Sequence, residues 1–302
     1  MESSRQTRAF YENGERRFPA ALDTWAFAWG GAADSERSDL EILAGRTQKR
    51  TLAEQRALIR PYVHIFKPTS GTPPYPAVIQ FHGCTGYRAG FMKRWAELAN
   101  EEGFIVLAVD SNRARGISYK KSLSSVCGGK ALIGQQRAGD VAAALEIARA
   151  RKNIDSSRIV VSGWSHGAWS VMDYIALSSA NKSSVSIKGD ASTVRPVGAA
   201  LFYPYCGPGS WSRHEHWYGY GRTIAFIAGR DRIVSGPECK AQFESISAAG
   251  NSVEIAYYPE ADHSFDDPGP DGVKKAYTES RPAVADAAAR YRAFLRDIKS
   301  PR

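Results

Sequence analysis

One serine in this sequence stands in a pattern that is typical of a catalytic nucleophile. Residues 163–167 read GWSHG, so Ser165 lies between two glycines, after a strongly apolar run and before a helical pattern. A G-x-S-x-G motif in this context is typical of a nucleophile elbow, a sharp turn that exposes the serine at the end of a strand. The five-residue motif also arises by chance, so the flanking strand and helix carry the prediction. We predict that Ser165 is a nucleophile for acyl-transfer chemistry.

The same turn predicts how a developing negative charge would be stabilised. It places the backbone N–H of His166 at a helix N-terminus, where unpaired N–H groups and the helix dipole favour an anion. A second donor in such sites comes from the loop after an earlier strand, and here the apolar run 77–81 leads into HGCTG at 82–86. We assign the second donor to the N–H of Cys84. The alternative is an ordinary turn at a strand end.

A general base must accept the serine proton, and six histidines are available. They are His64, His82, His166, His214, His216 and His263. Where a nucleophile elbow is used, the partners follow the serine in the order acid and then histidine, and the histidine lies in a loop beyond the last strand. Only His263, soon after the apolar run 253–258, meets both conditions. The alternative is a solvated loop histidine.

The acid that orients the base should lie between the serine and the histidine, at the end of a strand. Asp231 meets this condition because it closely follows the run 223–228. Its carboxylate would fix the tautomer of His263 and stabilise the imidazolium that forms. Three other carboxylates compete for the role: Asp262, Asp266 and Asp267. They lie so near His263 in the chain that capping of a tight turn is their more common role.

The elements around these residues follow a recognisable alternation. Short apolar runs rich in β-branched and aromatic residues alternate with helical patterns, which indicates a largely parallel sheet covered by helices. The predicted strands span residues 62–66, 77–81, 104–109, 158–162, 197–203, 223–228 and 253–258. A capping-box pattern at Thr51 and Glu54 predicts a helix near 51–58. The fold class is therefore α/β, with helices on both faces of a mostly parallel central sheet.

Length and composition indicate one catalytic domain. A chain of 302 residues, 43% of them hydrophobic, can bury one large core. We assign residues 61–302 to this domain and residues 1–60 to an N-terminal extension of uncertain structure. Residues 1–20 contain charges and no apolar core of a signal peptide, and no later run is long and uncharged enough to span a bilayer. A cytoplasmic protein without a membrane partner is the expectation.

The net charge and the cysteines restrict the partners. The formal net charge is +9, but lysine and arginine are spread along the chain, which favours a solvated basic surface over nucleic-acid binding. The four cysteines lack the paired spacing of a zinc site, and the chemistry needs neither a metal nor a cofactor. Cys127 and Cys206 both follow strand ends and can form a disulfide. Free thiols are the more common state in the cytoplasm.

With these residues in place, the sequence resembles the dienelactone hydrolase family of the α/β-hydrolase superfamily. The resemblance covers roughly residues 62–298. It is carried by HGCTG at 82–86, GWSHG at 163–167, GRD at 229–231 with Pro237 and Cys239 following, and YPEADHSFD at 258–266. It implies the α/β-hydrolase fold and triad chemistry. Dienelactone hydrolases have a cysteine nucleophile where this chain has Ser165, so dienelactone is not implied as the substrate.

Three classes of function remain. The first is a serine hydrolase that cleaves a small-molecule carboxylic ester through an acyl-enzyme. The second is an amide or peptide hydrolase, or an acyl transferase, that uses the same triad, because the leaving group is selected by pocket shape. The third is a non-catalytic binding protein of the same fold. The sequence does not predict an oligomeric state.

Two loops are candidates for the substrate pocket, because loops at the carboxyl ends of parallel strands build ligand sites. One loop, 110–116, contains Arg113 and Arg115. The other is an aromatic-rich stretch at 205–220 that includes Tyr205 and Trp211. Together they predict a pocket for a compact aromatic or carboxylate-bearing ester. The alternative is that the arginines point to water and the aromatic side chains only pack their loop against the body of the protein.

Overall fold

All seven predicted strands are present and form a single sheet, which confirms the α/β prediction. The computed structural model describes residues 47–189, 194–214, 217, 221–269 and 273–300. The strands are β1 Val63–Phe66, β2 Tyr75–Phe81, β3 Ile105–Val109, β4 Ile154–Trp164, β5 Gly198–Phe202, β6 Arg222–Ala228 and β7 Val253–Tyr258. The strands β2, β3, β5 and β6 are mainly apolar and almost entirely buried, as is typical of strands covered on both faces.

The sheet has the strand order β1-β3-β2-β4-β5-β6-β7. Only the edge strand β1 is antiparallel, pairing with β3, and the other strands run parallel. In the register, Gly163 near the end of β4 lies beside Phe81, the last residue of β2. The carboxyl ends of parallel strands meet at one edge of a sheet. The segments that follow β2, β4, β6 and β7 therefore converge there.

Helices cover both faces of the sheet. They are α1 Leu52–Ile59, α2 Ala89–Glu101, α3 Tyr119–Ser125, α4 Gly134–Arg149, α5 His166–Ser179, α6 Gly236–Ala248, α7 Lys275–Glu279 and α8 Arg281–Lys299. Residues of α4, α5 and α6 share one core cluster with one side of the strands, and residues of α2 and α8 share the other. No helix in the described ranges is long and apolar enough to cross a membrane.

The helix predicted near 51–58 is α1, and it begins with the predicted capping box. The Thr51 side chain accepts a hydrogen bond from the Glu54 N–H, and the Glu54 carboxylate accepts one from the Thr51 N–H. The helix packs on α4, where the buried Gln55 amide donates to the Asp140 carboxylate. The last part of the predicted extension therefore contributes to the core. The first 46 residues lie outside the described residues.

Candidate active site

Ser165 occupies the sharp turn between β4 and α5. Its backbone has φ 53° and ψ −117°, a conformation that costs a non-glycine residue about 1–3 kcal/mol and persists only where its surroundings enforce it. Two backbone hydrogen bonds hold the turn. The Ser165 N–H donates to the Phe202 carbonyl at 2.9 Å, and the Ser165 carbonyl accepts from the Trp169 N–H at 3.0 Å. Ser165 therefore has the backbone of a nucleophile elbow.

The two glycines of the motif are required by close packing. A Cβ atom on Gly163 would lie 2.5 Å from the Ala168 nitrogen, and one on Gly167 would lie 2.6 Å from the His82 oxygen, with the Phe81 oxygen closer still. Side chains at these positions would collide with backbone, which cannot yield as a flexible side chain can. The absence of side chains lets β2, β4 and α5 approach each other at Ser165.

The structure brings together the three residues that the sequence predicted as nucleophile, base and acid. His263 Nε2 lies 2.9 Å from Ser165 Oγ, and His263 Nδ1 lies 2.6 Å from Asp231 Oδ2. The Asp231 side chain is fully buried, whereas His263 is 11% exposed. A carboxylate at Nδ1 favours the tautomer with its proton on that nitrogen, which leaves Nε2 free to accept a proton from the serine hydroxyl.

The turn after β6 fixes the Asp231 carboxylate. Its second oxygen, Oδ1, accepts hydrogen bonds from the N–H groups of Ile233 and Val234, both at 2.9 Å. The neighbouring Arg230 N–H donates to the Ala261 carbonyl at 2.9 Å, which ties this turn to the loop that carries His263. The acid and the base are therefore held by two loops that are bonded to each other.

The three competing carboxylates have other partners. Asp262 binds the Arg232 guanidinium, with an Nη2–Oδ2 distance of 2.7 Å. Asp267 forms an ion pair with Arg88. Asp266 is completely buried, and this burial raises its pKa to about 6. Among these carboxylates only Asp231 faces the imidazole, as predicted. The prediction that the other three cap the turn holds in part: Asp262 and Asp267 accept backbone N–H groups of their own loop, whereas Asp266 binds side chains of other segments.

The sequence did not predict that a buried tyrosine packs against the ring of His263. The Tyr203 ring meets His263 edge-on, with ring centroids 4.8 Å apart. The Tyr203 hydroxyl donates to Asp266 Oδ1 at 2.7 Å, and the Trp164 indole N–H donates to Asp266 Oδ2 at 3.1 Å. A carboxylate three positions after the base thus joins the histidine loop to the ends of β4 and β5. The sequence signal was only a pair of aromatic residues at strand ends.

The loop at residues 82–86 passes beside the nucleophile, as predicted for the second oxyanion donor. A Cβ atom on Gly83 would lie 3.7 Å from Ser165 Cβ. Two side chains hold the carbonyls of this loop: Asn112 Nδ2 donates to the Cys84 oxygen at 3.0 Å, and the Ser122 hydroxyl contacts the Thr85 oxygen at 3.2 Å. The N–H of His166 belongs to the first residue of α5, directly after Ser165.

The cysteines form two disulfides, Cys84–Cys127 and Cys206–Cys239, with Cα–Cα distances of 5.0 and 5.2 Å. The predicted Cys127–Cys206 pairing is therefore wrong, and so is the alternative of free thiols. The segment after α3 packs on the loop after β2, whereas the loop after β5 packs on the start of α6. Within the described ranges, no group of three or more His, Cys, Asp or Glu side chains could hold a metal ion.

A small cavity of about 60 Å³ opens at Ser165. It is lined by Cys84, Val126, Cys127, Gly129, Ile133, Ser165, His166, Trp169, Tyr205, Pro208, Gly209, Ile233 and Val234. Among these residues none carries a carboxylate, an ammonium or a guanidinium group. Burial holds the pKa of the His166 imidazole well below its usual range, an effect that the nearby Arg137 strengthens. The cavity is therefore apolar and uncharged at neutral pH.

Only one of the four predicted substrate residues lines this cavity. Tyr205 does, but Trp211 is buried elsewhere, with Lys182 Nζ 5.4 Å from its ring centre. Arg113 is exposed. Arg115 binds the Asp140 carboxylate through two hydrogen bonds of 2.9 Å.

The prediction that an arginine lines the pocket is therefore wrong. The guanidinium of Arg115 is paired instead with the carboxylate of Asp140, which is fully buried. Three further members of the aromatic stretch, His216, Tyr218 and Tyr220, lie outside the described residues.

Comparison with known proteins agrees with this architecture. The model of the dienelactone hydrolase family matches residues 62–299. Among curated proteins, no sequence is significantly similar. A solved esterase from the Planctomycetes species Thermogutta terrifontis, bound to propionate, is 18% identical, with a TM-score of 0.57 and coverage of 80% of this chain and 91% of its own.

Two further solved structures are similar. A candidate dienelactone hydrolase from Klebsiella pneumoniae is 17% identical, with a TM-score of 0.55 and coverage of 77% of this chain and 91% of its own. Thermogutta terrifontis esterase 2 phosphonylated by cyclosarin is 20% identical, with a TM-score of 0.57 and coverage of 80% and 90%. At these identities the similarity establishes a common fold.

Proposed function

The chain belongs to the dienelactone hydrolase family and is a carboxylic ester hydrolase, and we propose that Ser165, His263 and Asp231 are its catalytic triad. We also propose that it prefers esters of short, neutral acids. The pair of contacts that His263 makes, 2.9 Å to the serine hydroxyl and 2.6 Å to the carboxylate, carries the first part. The small uncharged cavity beside Ser165 supports the second.

Acylation begins when Ser165 Oγ attacks the ester carbonyl carbon. His263 Nε2 takes the hydroxyl proton, and Asp231 stabilises the imidazolium. The carbonyl electrons move to the oxygen, and this oxyanion accepts hydrogen bonds from the N–H groups of His166 and Cys84. When the intermediate collapses, the bond between the carbonyl carbon and the alcohol oxygen breaks. The alcohol leaves with the proton from His263, and Ser165 carries the acyl group.

Deacylation uses the same groups with water as the nucleophile. His263 takes a proton from the water, the resulting hydroxide adds to the acyl carbon, and the ester bond to Ser165 breaks. The imidazolium returns its proton to the serine oxygen, and the acid is released. An alcohol in place of water would give acyl transfer, and an amide in place of the ester would give amide hydrolysis. Both alternatives use the same atoms and differ in the occupant of the pocket.

The size and chemistry of the cavity support a short acyl group. A cavity of about 60 Å³ is several times larger than the roughly 10–15 Å³ that one water molecule needs, and it therefore suits a short acyl chain. The walls are mainly apolar side chains and a disulfide, which favour hydrocarbon over a carboxylate. The similar Thermogutta terrifontis esterase was solved with propionate, an acid of this size. The alcohol part of the substrate would extend towards solvent.

The decisive experiment is labelling with a fluorophosphonate followed by kinetics on nitrophenyl esters of graded acyl length. Mass spectrometry of the labelled protein should locate one adduct on Ser165. The Ser165→Ala variant should remain folded, lose the label and retain less than about one thousandth of the esterase activity, because deletion of a triad nucleophile removes several powers of ten in rate. Acetate and butyrate esters should react faster than octanoate esters.

Other outcomes would support the competing functions. A folded wild-type protein that neither reacts with the fluorophosphonate nor hydrolyses any ester would be a binding protein of this fold. Faster cleavage of matched amides than of esters would indicate an amide or peptide hydrolase. Formation of a new ester in the presence of an added alcohol, in preference to the free acid, would indicate an acyl transferase. The proposal requires that none of these results is obtained.

The two disulfides also bear on the compartment. The sequence led us to expect a cytoplasmic protein, but disulfides form and persist mainly in oxidising compartments. Since four cysteines form two disulfides, we propose that the protein acts in such a compartment. Thiol labelling of the protein from gently fractionated cells tests this proposal. Because the cysteines are largely buried in the fold, the protein is denatured without a reductant before labelling, and four labelled thiols would contradict the proposal.

A further inference from the structure

A fully buried guanidinium lies behind the two proposed oxyanion donors. Arg137 belongs to α4 and is 0% exposed. Its Nη1 donates to the His82 carbonyl at 2.7 Å and lies 3.1 Å from His166 Nδ1. Its Nε donates to the Ser111 hydroxyl at 3.1 Å. A charge removed from water is unfavourable unless it gains specific partners, so the placement of this side chain needs a physical reason.

The carboxylates of Asp140 and Asp110 are near enough to stabilise this charge, but neither forms one of its described hydrogen bonds. The buried carboxylate one turn along the helix, Asp140, makes both of its short charged contacts with Arg115. Burial lowers the pKa of Arg137 to about 10, so the group is still protonated at neutral pH. Its described hydrogen bonds go to neutral acceptors. The N–H groups of the guanidinium therefore bind polar groups that lie near the nucleophile.

Those acceptors belong to the two segments that supply the oxyanion donors. His82 lies two residues before Cys84, and its carbonyl sits where the loop leaves β2. The imidazole that Arg137 contacts is the side chain of His166, whose backbone N–H is the other donor. Because the pKa of His166 is held low, its ring is neutral and can accept at an unprotonated Nδ1. One guanidinium nitrogen thus contacts both segments that carry the proposed oxyanion donors.

We propose that Arg137 is a positioning residue that sets the separation of the two oxyanion donors by binding the His82 carbonyl and the His166 imidazole together. The inference rests on the proposed function, since an oxyanion hole has a role only if Ser165 attacks a carbonyl. Arg137 touches neither the substrate nor Ser165 and acts through its two partners. Donors must lie within a few tenths of an ångström of the forming oxyanion to stabilise it.

The planar fork of arginine suits this task better than lysine. A guanidinium presents five N–H donors in fixed directions, whereas an ammonium is a point charge on a flexible stem. Arg137→Lys therefore keeps a basic group that can donate a hydrogen bond, but it reaches at most one of the two acceptors well. Arg137→Met keeps the approximate volume and removes both the charge and the donors. The two variants separate the effect of geometry from the effect of charge.

The test compares oxygen esters with thionoesters, in which sulfur replaces the carbonyl oxygen. Sulfur is larger and a weaker hydrogen-bond acceptor, so an intact oxyanion hole favours the oxygen ester. In Arg137→Met we expect kcat for a short ester to fall about 10–100-fold, the scale of a displaced catalytic group. KM should change less than threefold, and the preference for the oxygen ester should shrink at least fivefold. Arg137→Lys should lie between the two.

The control is Arg292→Met, the same substitution at a half-exposed arginine of α8 that binds Glu102, far from Ser165. It should keep the kcat and the ester-to-thionoester ratio of the wild type. The rate at which a fluorophosphonate phosphonylates each variant is a second measurement of the same effect. The phosphoryl oxygen accepts hydrogen bonds from the same two N–H groups. Melting temperatures accompany every measurement. If Arg137→Met fails to fold, Arg137→Lys decides the question.

Each remaining outcome has one meaning. A folded Arg137 variant that is less stable but keeps the wild-type ratio and phosphonylation rate would overturn the inference and make Arg137 a structural residue only. The same result would leave the proposed function intact, because the wild-type protein still reacts. A wild-type protein that reacts with neither esters nor the fluorophosphonate would overturn the proposed function and this inference together.

Discussion

The disulfide between Cys84 and Cys127 forms part of the wall of the cavity that opens at Ser165. Cys84 is the residue whose N–H we propose as an oxyanion donor, and Cys127 lies 43 residues later in the chain. The covalent bond therefore joins the loop at residues 82–86, called the oxyanion loop here because we propose that it carries a donor, to the segment between α3 and α4. A change at this bond should affect both the shape of the pocket and the position of the donor.

Replacing Cys84 and Cys127 together by serine should lower both stability and kcat. Cross-linking residues 43 apart restricts the unfolded chain by up to about 4 kcal/mol on the chain-entropy model. We expect a loss of this order in the free energy of unfolding and about a tenfold loss in kcat for a short ester. Urea unfolding and steady-state kinetics measure the two effects.

The matched control replaces Cys206 and Cys239 by serine. Their separation of 33 residues gives a similar loss of stability on the same model, but this disulfide does not include the oxyanion loop. Its removal should reduce kcat less than threefold. Equal losses of kcat in the two double variants would contradict a specific role for Cys84–Cys127.

Asp231→Asn and Asp262→Asn separate the acid of the triad from its neighbour. In the Asp231 variant, an amide faces His263 Nδ1 and can hold the imidazole in the wrong tautomer, a change that lowers kcat by about 10⁴ in triads of this type. Asp262 binds the Arg232 guanidinium and the His263 backbone N–H, and the side-chain oxygen of asparagine can still accept from that N–H, so this variant should keep activity within threefold. Ester hydrolysis measured at saturating substrate gives both values. A larger loss at Asp262 would reverse the assignment.

Ile133→Ala should widen the acyl pocket. Ile133, the residue just before α4, lines the cavity and is 6% exposed. Ile147 in α4 is also 6% exposed, but it belongs to the core and not to the pocket. Both alanine variants should lose about 2–5 kcal/mol of stability. Only Ile133→Ala should raise kcat/KM for hexanoate relative to acetate esters, by about tenfold for two additional buried methylenes. An equal shift in both variants would show that the pocket does not set chain length.

Arg113 and Arg115 lie two residues apart and should behave differently. Arg115→Ala leaves the buried Asp140 without its ion pair, and breaking a buried pair in this way costs about 3–5 kcal/mol. Arg113→Ala, at an exposed position, should change the free energy of unfolding by less than about 0.5 kcal/mol. Neither should change the KM of a carboxylate-bearing ester relative to a neutral one. A selective rise in that KM would restore the original prediction from the sequence.

Asp173 should make stability fall as pH rises towards 8. This α5 carboxyl is fully buried and accepts hydrogen bonds from Ser210 and Ser212, and burial raises its pKa to about 8. In the unfolded chain an aspartate titrates near 4. Between these values the folded protein binds a proton that the unfolded chain does not, so the free energy of unfolding decreases with pH. Asp173→Asn removes this contribution.

Urea titrations at pH 6.5 and 8 measure the effect of Asp173. This window lies above the pKa of about 6 that burial gives Asp266, so Asp266 contributes little to it. The wild-type protein should lose more stability across the window than Asp173→Asn does. An equal loss in the two proteins would show that Asp173 remains ionised in the fold.

The sequence predicted the elements and the triad because both depend on local patterns and chain order. Each strand contains a short run of mainly apolar residues, and Ser165 is marked by glycines that the backbone packing requires. Asp231 and His263 could be chosen because each follows a strand whose end meets the same edge of the sheet. Residues far apart in the chain were in this way brought together by topology alone.

The pocket could not be predicted in the same way, because loop residues choose partners in three dimensions. Arg115 stands at the correct edge of the sheet, but a buried carboxylate 25 residues later binds it. The disulfide pairing depends on which loops touch, and spacing along the chain does not contain this information. Arg137 lies near the start of a helix that also contains other polar and charged residues. Nothing in the sequence of that helix indicates that its guanidinium reaches the turn at His166.

The close approach of α5 to the end of β2 limits how this protein can be redesigned. A library that varies Ile133, Trp169 and Tyr205 would explore new acyl pockets while the backbone around Ser165 stays in place. Gly167 has to be held constant in every member, because even one methyl group there would lie 2.6 Å from the His82 oxygen. Residues of the pocket wall can therefore be varied to change acyl specificity, whereas the glycine of the nucleophile turn cannot.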